Sequence, residues 1–177
     1  MTQQPATGPA VVVQVARSPA DLDAVRALLR DFVHWHRTQH RADLALVDAY
    51  FDPSAFETEL ADLPGPYAEP AGLLLLARRG GESAGCVALK RIDQRRCEMK
   101  RMFVPAELHG LGVGRALGQA IVDGARAAGY REMRLDTSWR QEAAMGLYRR
   151  LGFVPTEPDP EVPEDLRSWL RFFELRL

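Results

Sequence analysis

Three glycines at alternate positions, Gly110, Gly112 and Gly114 in the stretch ELHGLGVGRAL, constrain this chain more than any other feature. A glycine inside a regular element costs roughly 0.5–1 kcal/mol relative to alanine, so such a cluster marks a special backbone path. The alanines and leucines that follow recur at helical spacing, which predicts a helix from Val113 to Ala128, stopped by Gly129. Its apolar stripe is Val113, Leu117, Ala120, Ile121 and Ala128. A strand-like run, RCEMKRMFV, precedes the glycines and another, REMRLDTS, follows the helix, giving a β–α–β unit. Successive N–H groups of a glycine-rich turn point inward, and the helix adds the positive end of its dipole. Together they form a cradle for an anion.

The rest of the chain reads as one mixed domain over residues 1–177, with residues 1–10 a flexible terminus. VVVQVA is a short strand, and SPADLDAVRALLRDFVHWHR a helix with Ser18 as N-cap and Pro19 at its first position. A shorter helix starts near Pro53, and the runs GLLLLARR, ESAGCVALKRI and RCEMKRMFV are strands, the last two a hairpin. QEAAMGLYRRLG is a helix closed by Gly152, FVPTE opens a strand, and RSWLRFFELRL ends the chain as an alternating strand.

Composition excludes several classes of function. A formal charge of -1 gives no broad footprint for nucleic acid. The longest aliphatic run, Leu73 to Ala77, is too short to cross a bilayer, and no basic segment precedes VVVQV as in a signal peptide. The expectation is a cytoplasmic protein, a monomer or homodimer. Cys86 and Cys97 have neither disulfide-framework nor zinc-site spacing and read as buried thiols. Among His34, His36 and His40, only the last two share a helical face, with no third ligand in reach. The expectation is a solvent-facing helix and no metal.

Three phosphate loops compete for the glycines. A Walker A loop, G-x-x-x-x-G-K-[ST], has no match. A dinucleotide fingerprint, G-x-G-x-x-G, fails at its third position, Leu117 or Arg115. Asp136, at the end of the next strand, nonetheless sits where a ribose-binding acid belongs. The third is the best fit. HGLGVG followed by RAL resembles the [Q/R]-x-x-G-x-[G/A] acyl-CoA loop of the GNAT superfamily of N-acetyltransferases. AAMGLYRRLGFVPTE resembles that family's A-x-x-L-Y-x-x-x-G-F block, and the resemblance is specific from about Cys86 to Glu157.

The resemblance implies an α/β (α+β) fold, with a central mixed, mostly antiparallel sheet flanked by helices. It implies an N-acetyltransferase that carries an acetyl group from acetyl-CoA to a primary amine of a small molecule or peptide by direct attack. A non-catalytic acyl-CoA-binding module is the alternative. The loop positions His109, Gly110, Leu111, Gly112, Val113 and Gly114 would hold the pyrophosphate. Arg115 would add charge, and Gly110 reads as permissive. The strand positions Met102, Phe103 and Val104 would receive the pantetheine arm along a sheet that splays there. Gln141, where many relatives have Asn, would hydrogen-bond it. Tyr148, on the family's Tyr, would protonate the departing sulfur, and Glu98, where histone-type members carry their base, would serve the amine.

Overall fold

A computed structural model of the chain describes residues 8–177; the expectation for residues 1–7 lies outside the described residues. In its first half the elements are β1 (Val11–Val15), α1 (Pro19–Gln39), α2 (Leu44–Tyr50), α3 (Pro53–Asp62), β2 (Leu73–Arg79) and β3 (Glu82–Arg91). The second half comprises β4 (Arg96–Phe103), α4 (Val113–Ala127), β5 (Glu132–Ser138), α5 (Glu142–Arg150), β6 (Val154–Pro155), α6 (Glu164–Trp169) and β7 (Leu170–Arg176).

The seven strands form one sheet in the order β1-β2-β3-β4-β5-β7-β6. Every pairing is antiparallel except β4 with β5, the pair that α4 crosses over. This is the mixed, mostly antiparallel sheet that the sequence leads one to expect. It is not the open parallel sheet that a dinucleotide-binding unit requires, so the ribose-binding role for Asp136 falls.

Helices cover both faces. Val113, Leu117, Ile121, Val122 and Ala125 of α4 pack with Leu75, Val87, Met99 and Met133 on one side. Val25, Leu28, Leu29 and Phe32 of α1 pack with Leu74, Leu76, Cys86 and Phe103 on the other. The α4 stripe differs from expectation at its end: the helix stops at Ala127, so Ala128 is exposed, and Val122 and Ala125 complete the buried face. The start of α1 is as expected. Ser18 accepts from the Asp21 amide, and the Asp21 side chain accepts in turn from the Ser18 amide.

Three local expectations change. α2 is an additional short helix whose leading Asp43 makes no cap bond of its own. FVPTE yields only a two-residue pairing at the edge of the sheet, where Pro155 is tolerated because one side of the strand has no ladder to feed among the described residues. The last strand begins at Leu170, since Ser168 and Trp169 close α6. Cys86 and Cys97 are buried free thiols, and burial pushes each up to about 12. Among the described residues no helix is long and apolar enough to cross a membrane.

Candidate functional site

The site exists because two neighbouring strands part. β4 and β5 pair only through Arg96↔Glu132, Cys97↔Met133 and Glu98↔Arg134. Beyond Glu98 the two diverge, while β5 stays with β7 as far as Ser138↔Leu170. The edge of β4 from Met99 to Phe103 that faces β5 therefore has no strand partner among the described residues. Part of the cause is an extra residue. Ala88 opposes Lys100 and Cys86 opposes Phe103, so β4 carries a bulge, with Arg101 at φ 57°. Arg101 is locked by Glu59 of α3, with Nε 2.8 Å from Oε1 and Nη2 2.5 Å from Oε2, and Tyr67 donates to the same carboxylate at 2.7 Å. Burial alone would raise the Glu59 carboxyl, but the guanidinium outweighs it and holds the group below the usual carboxylate range.

The glycine loop lies at the mouth of this opening. Gly110 and Gly112 have φ of 80° and 83°, the left-handed region that side chains rarely adopt, so Gly110 is required where it read as permissive. A β-carbon at either would meet open space, so the demand is conformational. Gly114 answers a different need: a β-carbon there would stand 3.3 Å from Leu147 Cδ2, and its absence lets α4 approach α5. The N-cap of α4 is Gly112, which has no side chain to offer. α1 and α3 are capped by Ser18 and Asp52, whereas the amides of Val113, Gly114 and Arg115 find no acceptor among the described residues. His109 pins the loop to the strand, its Nε2–H donating to the Val104 carbonyl at 2.9 Å. Arg115 is exposed on the rim and forms no ion pair among the described residues.

Two adjoining cavities fill the opening. A cleft of about 640 Å³ runs from the loop inward, and a chamber of about 40 Å³ lies beyond it. They share Phe32, Met102, Gln141 and Tyr148. Of the expected residues, Met102, Phe103, Val104, His109, Gly110, Gly112, Gly114, Arg115, Gln141 and Tyr148 line the cleft. Leu111 projects into solvent, and Val113 turns its side chain into the core and contributes only backbone. Gln141 accepts from the Thr137 hydroxyl at 2.7 Å, which fixes its amide, and its Nε2 makes no hydrogen bond among the described residues. Tyr148 is buried at the junction, edge-on to Phe153 at 6.0 Å, and its hydroxyl makes no hydrogen bond among the described residues. Burial, and then the nearby charge of Asp136, push its phenol well above the ordinary value.

Glu98 stands apart from this group. It bonds to Lys100 Nζ at 3.2 Å and lines neither cavity. The chamber instead brings in Lys100, Asp136 and Tyr50, whose hydroxyl donates to Asp136 Oδ1 at 2.6 Å. Sequence reasoning missed this trio because it is assembled from three elements. The only local sign was Asp136 itself, a carboxylate near the end of the strand that follows the crossover helix. The histidines also differ from expectation. His34 is exposed, but His36 and His40 are buried, their Nδ1 atoms 3.2 Å apart, and the His36 ring lines the chamber. They extend the stripe of Leu29 and Phe32 down α1, a periodicity that the polar character of the side chain concealed.

Residues 28–153 match the acetyltransferase (GNAT) family. An uncharacterized N-acetyltransferase of Schizosaccharomyces pombe is 31% identical over 150 residues, covering 84% of this chain and 85% of that one. The IAA acetyltransferase of Azospirillum brasilense is 36% identical over 156 residues, with coverages of 84% and 92%. Among solved structures, an acetyltransferase from Streptococcus agalactiae superposes with a TM-score of 0.71 at 21% identity, covering 94% of this chain and 98% of that one. The PaiA N-acetyltransferase of Thermoplasma acidophilum, solved in complex with coenzyme A, gives a TM-score of 0.69 at 16% identity, with coverages of 95% and 99%.

Proposed function

The chain belongs to the acetyltransferase (GNAT) family, and from that premise we propose that it moves an acetyl group from acetyl-CoA to a primary amine by direct attack. The observation that carries this reading is the uncapped start of α4 at the mouth of a cleft whose far end is Tyr148. Orphan amides in a glycine turn suit a pyrophosphate, which the helix dipole favours further. The β5-facing edge of β4 suits the amides of a pantetheine arm, because an unpaired backbone group is costly to leave without a partner. Gln141 Nε2 adds a donor on the opposite wall.

A thioester threaded along that edge brings its sulfur to Tyr148. Burial keeps the phenol protonated, so it can give its proton to sulfur as the carbon–sulfur bond breaks. The chamber beyond receives the amine, on the side of the carbonyl away from the cleft. Heat denaturation with and without ligand tests the donor half. A ligand that binds only the native state raises apparent stability by about 2.7 kcal/mol at one hundred times its dissociation constant. Acetyl-CoA is expected to raise the melting temperature, and NAD and ATP to leave it unchanged. No shift at millimolar acetyl-CoA would remove the acyl-CoA reading.

A further inference from the structure

The acetyl-transfer reading leaves open what receives the proton of the attacking amine. Glu98 is tied to Lys100 and lines neither cavity, so it does not meet a nitrogen beside Tyr148. Asp136 does share a cavity with Tyr148. It stands on β5 past the last β4–β5 pair, Glu98↔Arg134, where the strands have parted. Its Oδ1 is held by the Tyr50 hydroxyl at 2.6 Å, and Oδ2 makes no hydrogen bond among the described residues. The carboxylate is thus oriented by one oxygen and free at the other. It is half-buried rather than sealed off, so it keeps some contact with solvent. The charged and titratable groups facing it are Tyr50 from α2, Lys100 and Arg101 from β4, Tyr148 from α5 and His36 from α1. The chamber's 40 Å³ compares with about 10–15 Å³ for one water, room for an amine and its first carbons.

We infer that Asp136 is the catalytic proton acceptor for the amine, held in place by Tyr50, in a chamber that admits an unhindered primary amine. The inference rests on the acetyl-transfer reading. An acceptor arriving as R–NH3+ loses two protons as its nitrogen bonds to the carbonyl carbon. Asp136 Oδ2 takes each in turn. One replaces the proton that Tyr148 has given to the departing sulfur, and the other passes to solvent. The balance is ammonium plus thioester to amide, thiol and one proton.

The test is thiol release from acetyl-CoA with an amine that the wild type accepts, measured across pH for wild type, Asp136→Asn and Glu98→Gln. Asn keeps an acceptor for Tyr50 while losing the charge. Asp136→Asn should lower kcat/KM by 10²-fold or more near neutral pH, within the usual range for general acid–base catalysis. Because the variant can use only free amine, its rate should climb tenfold per pH unit toward the amine's own pKa, while the wild type stays flat. Stabilisation by acetyl-CoA should be unchanged. Equal turnover in the variant, or a deficit that is the same at every pH, overturns the inference, and so does a pH-dependent deficit in Glu98→Gln alone. Should Asp136→Asn fail to melt cooperatively, Tyr50→Phe decides: a several-fold fall in kcat with a flat profile supports the assignment, and unaltered turnover contradicts it. A wild type inactive toward every amine would instead sink the acetyl-transfer reading itself.

Discussion

At the scale of single residues, burial decides the chemistry. His36 is 2% exposed, and its Nε2 is buried without a partner among the described residues. Burial, and secondarily the nearby His40 ring, hold its pKa down to about 3 from 6.5. Its folded value lies below its unfolded one, so between the two the unfolded chain binds more protons and stability rises with pH. The contribution is complete above pH 6.5 and is lost as pH falls toward 3, at up to about 1.4 kcal/mol per unit. Urea unfolding at intervals from pH 7 to pH 5, above the carboxylate range, should show this decline in the wild type and a flatter curve in His36→Phe. A wild-type stability flat over that interval would contradict it. Tyr148 and the glycines were legible in the sequence because each belongs to a local pattern. Asp136, Tyr50 and Lys100 were not, since three elements must fold before they meet.

At the scale of elements, the informative contrast is between two helix starts. α1 begins with a reciprocal Ser18–Asp21 cap and needs nothing more, whereas α4 begins on Gly112 and leaves its first amides without an acceptor among the described residues. Gly114 lies in the first turn of that helix and also faces Leu147 across the α4–α5 contact. Gly114→Glu would place a carboxylate beside a bound pyrophosphate and a side chain against Leu147. Gly114→Ala adds only the 3.3 Å contact, which serves as the steric control. We expect Gly114→Glu to lose the heat stabilisation by acetyl-CoA and Gly114→Ala to keep most of it, each with a cooperative melt. Equal stabilisation of Gly114→Glu and wild type would place the phosphates elsewhere. The β–α–β unit around this helix was readable because its apolar period and glycine stops are local. α2 was not, because seven residues without a cap bond take their helix from tertiary contacts, with Asp43 serving Arg140 and Trp169 instead.

At the scale of the whole molecule, one antiparallel sheet is interrupted by a single parallel pair, and that pair is where it opens. One face of the sheet rests on α4, the other on α1, and the bulge at Arg101 is clamped from α3 by Glu59. The opening is thus supported from both layers, with the glycine loop at one end and the chamber of Asp136 at the other. Such an arrangement predicts transfer, with the cofactor entering from one side and the acceptor from the other. The direct measurement is thiol release from acetyl-CoA against a panel of primary amines, with the acetylated amine identified by mass, for wild type and Tyr148→Phe. Wild type should release thiol only when an accepted amine is present, one thiol per amide formed. Tyr148→Phe should still be stabilised by acetyl-CoA but turn over about 10²–10⁴-fold more slowly, as expected when a general acid is lost. Stabilisation by acetyl-CoA with no amine-dependent thiol release, or equal turnover in the folded Tyr148→Phe variant, would contradict acetyl transfer at this site.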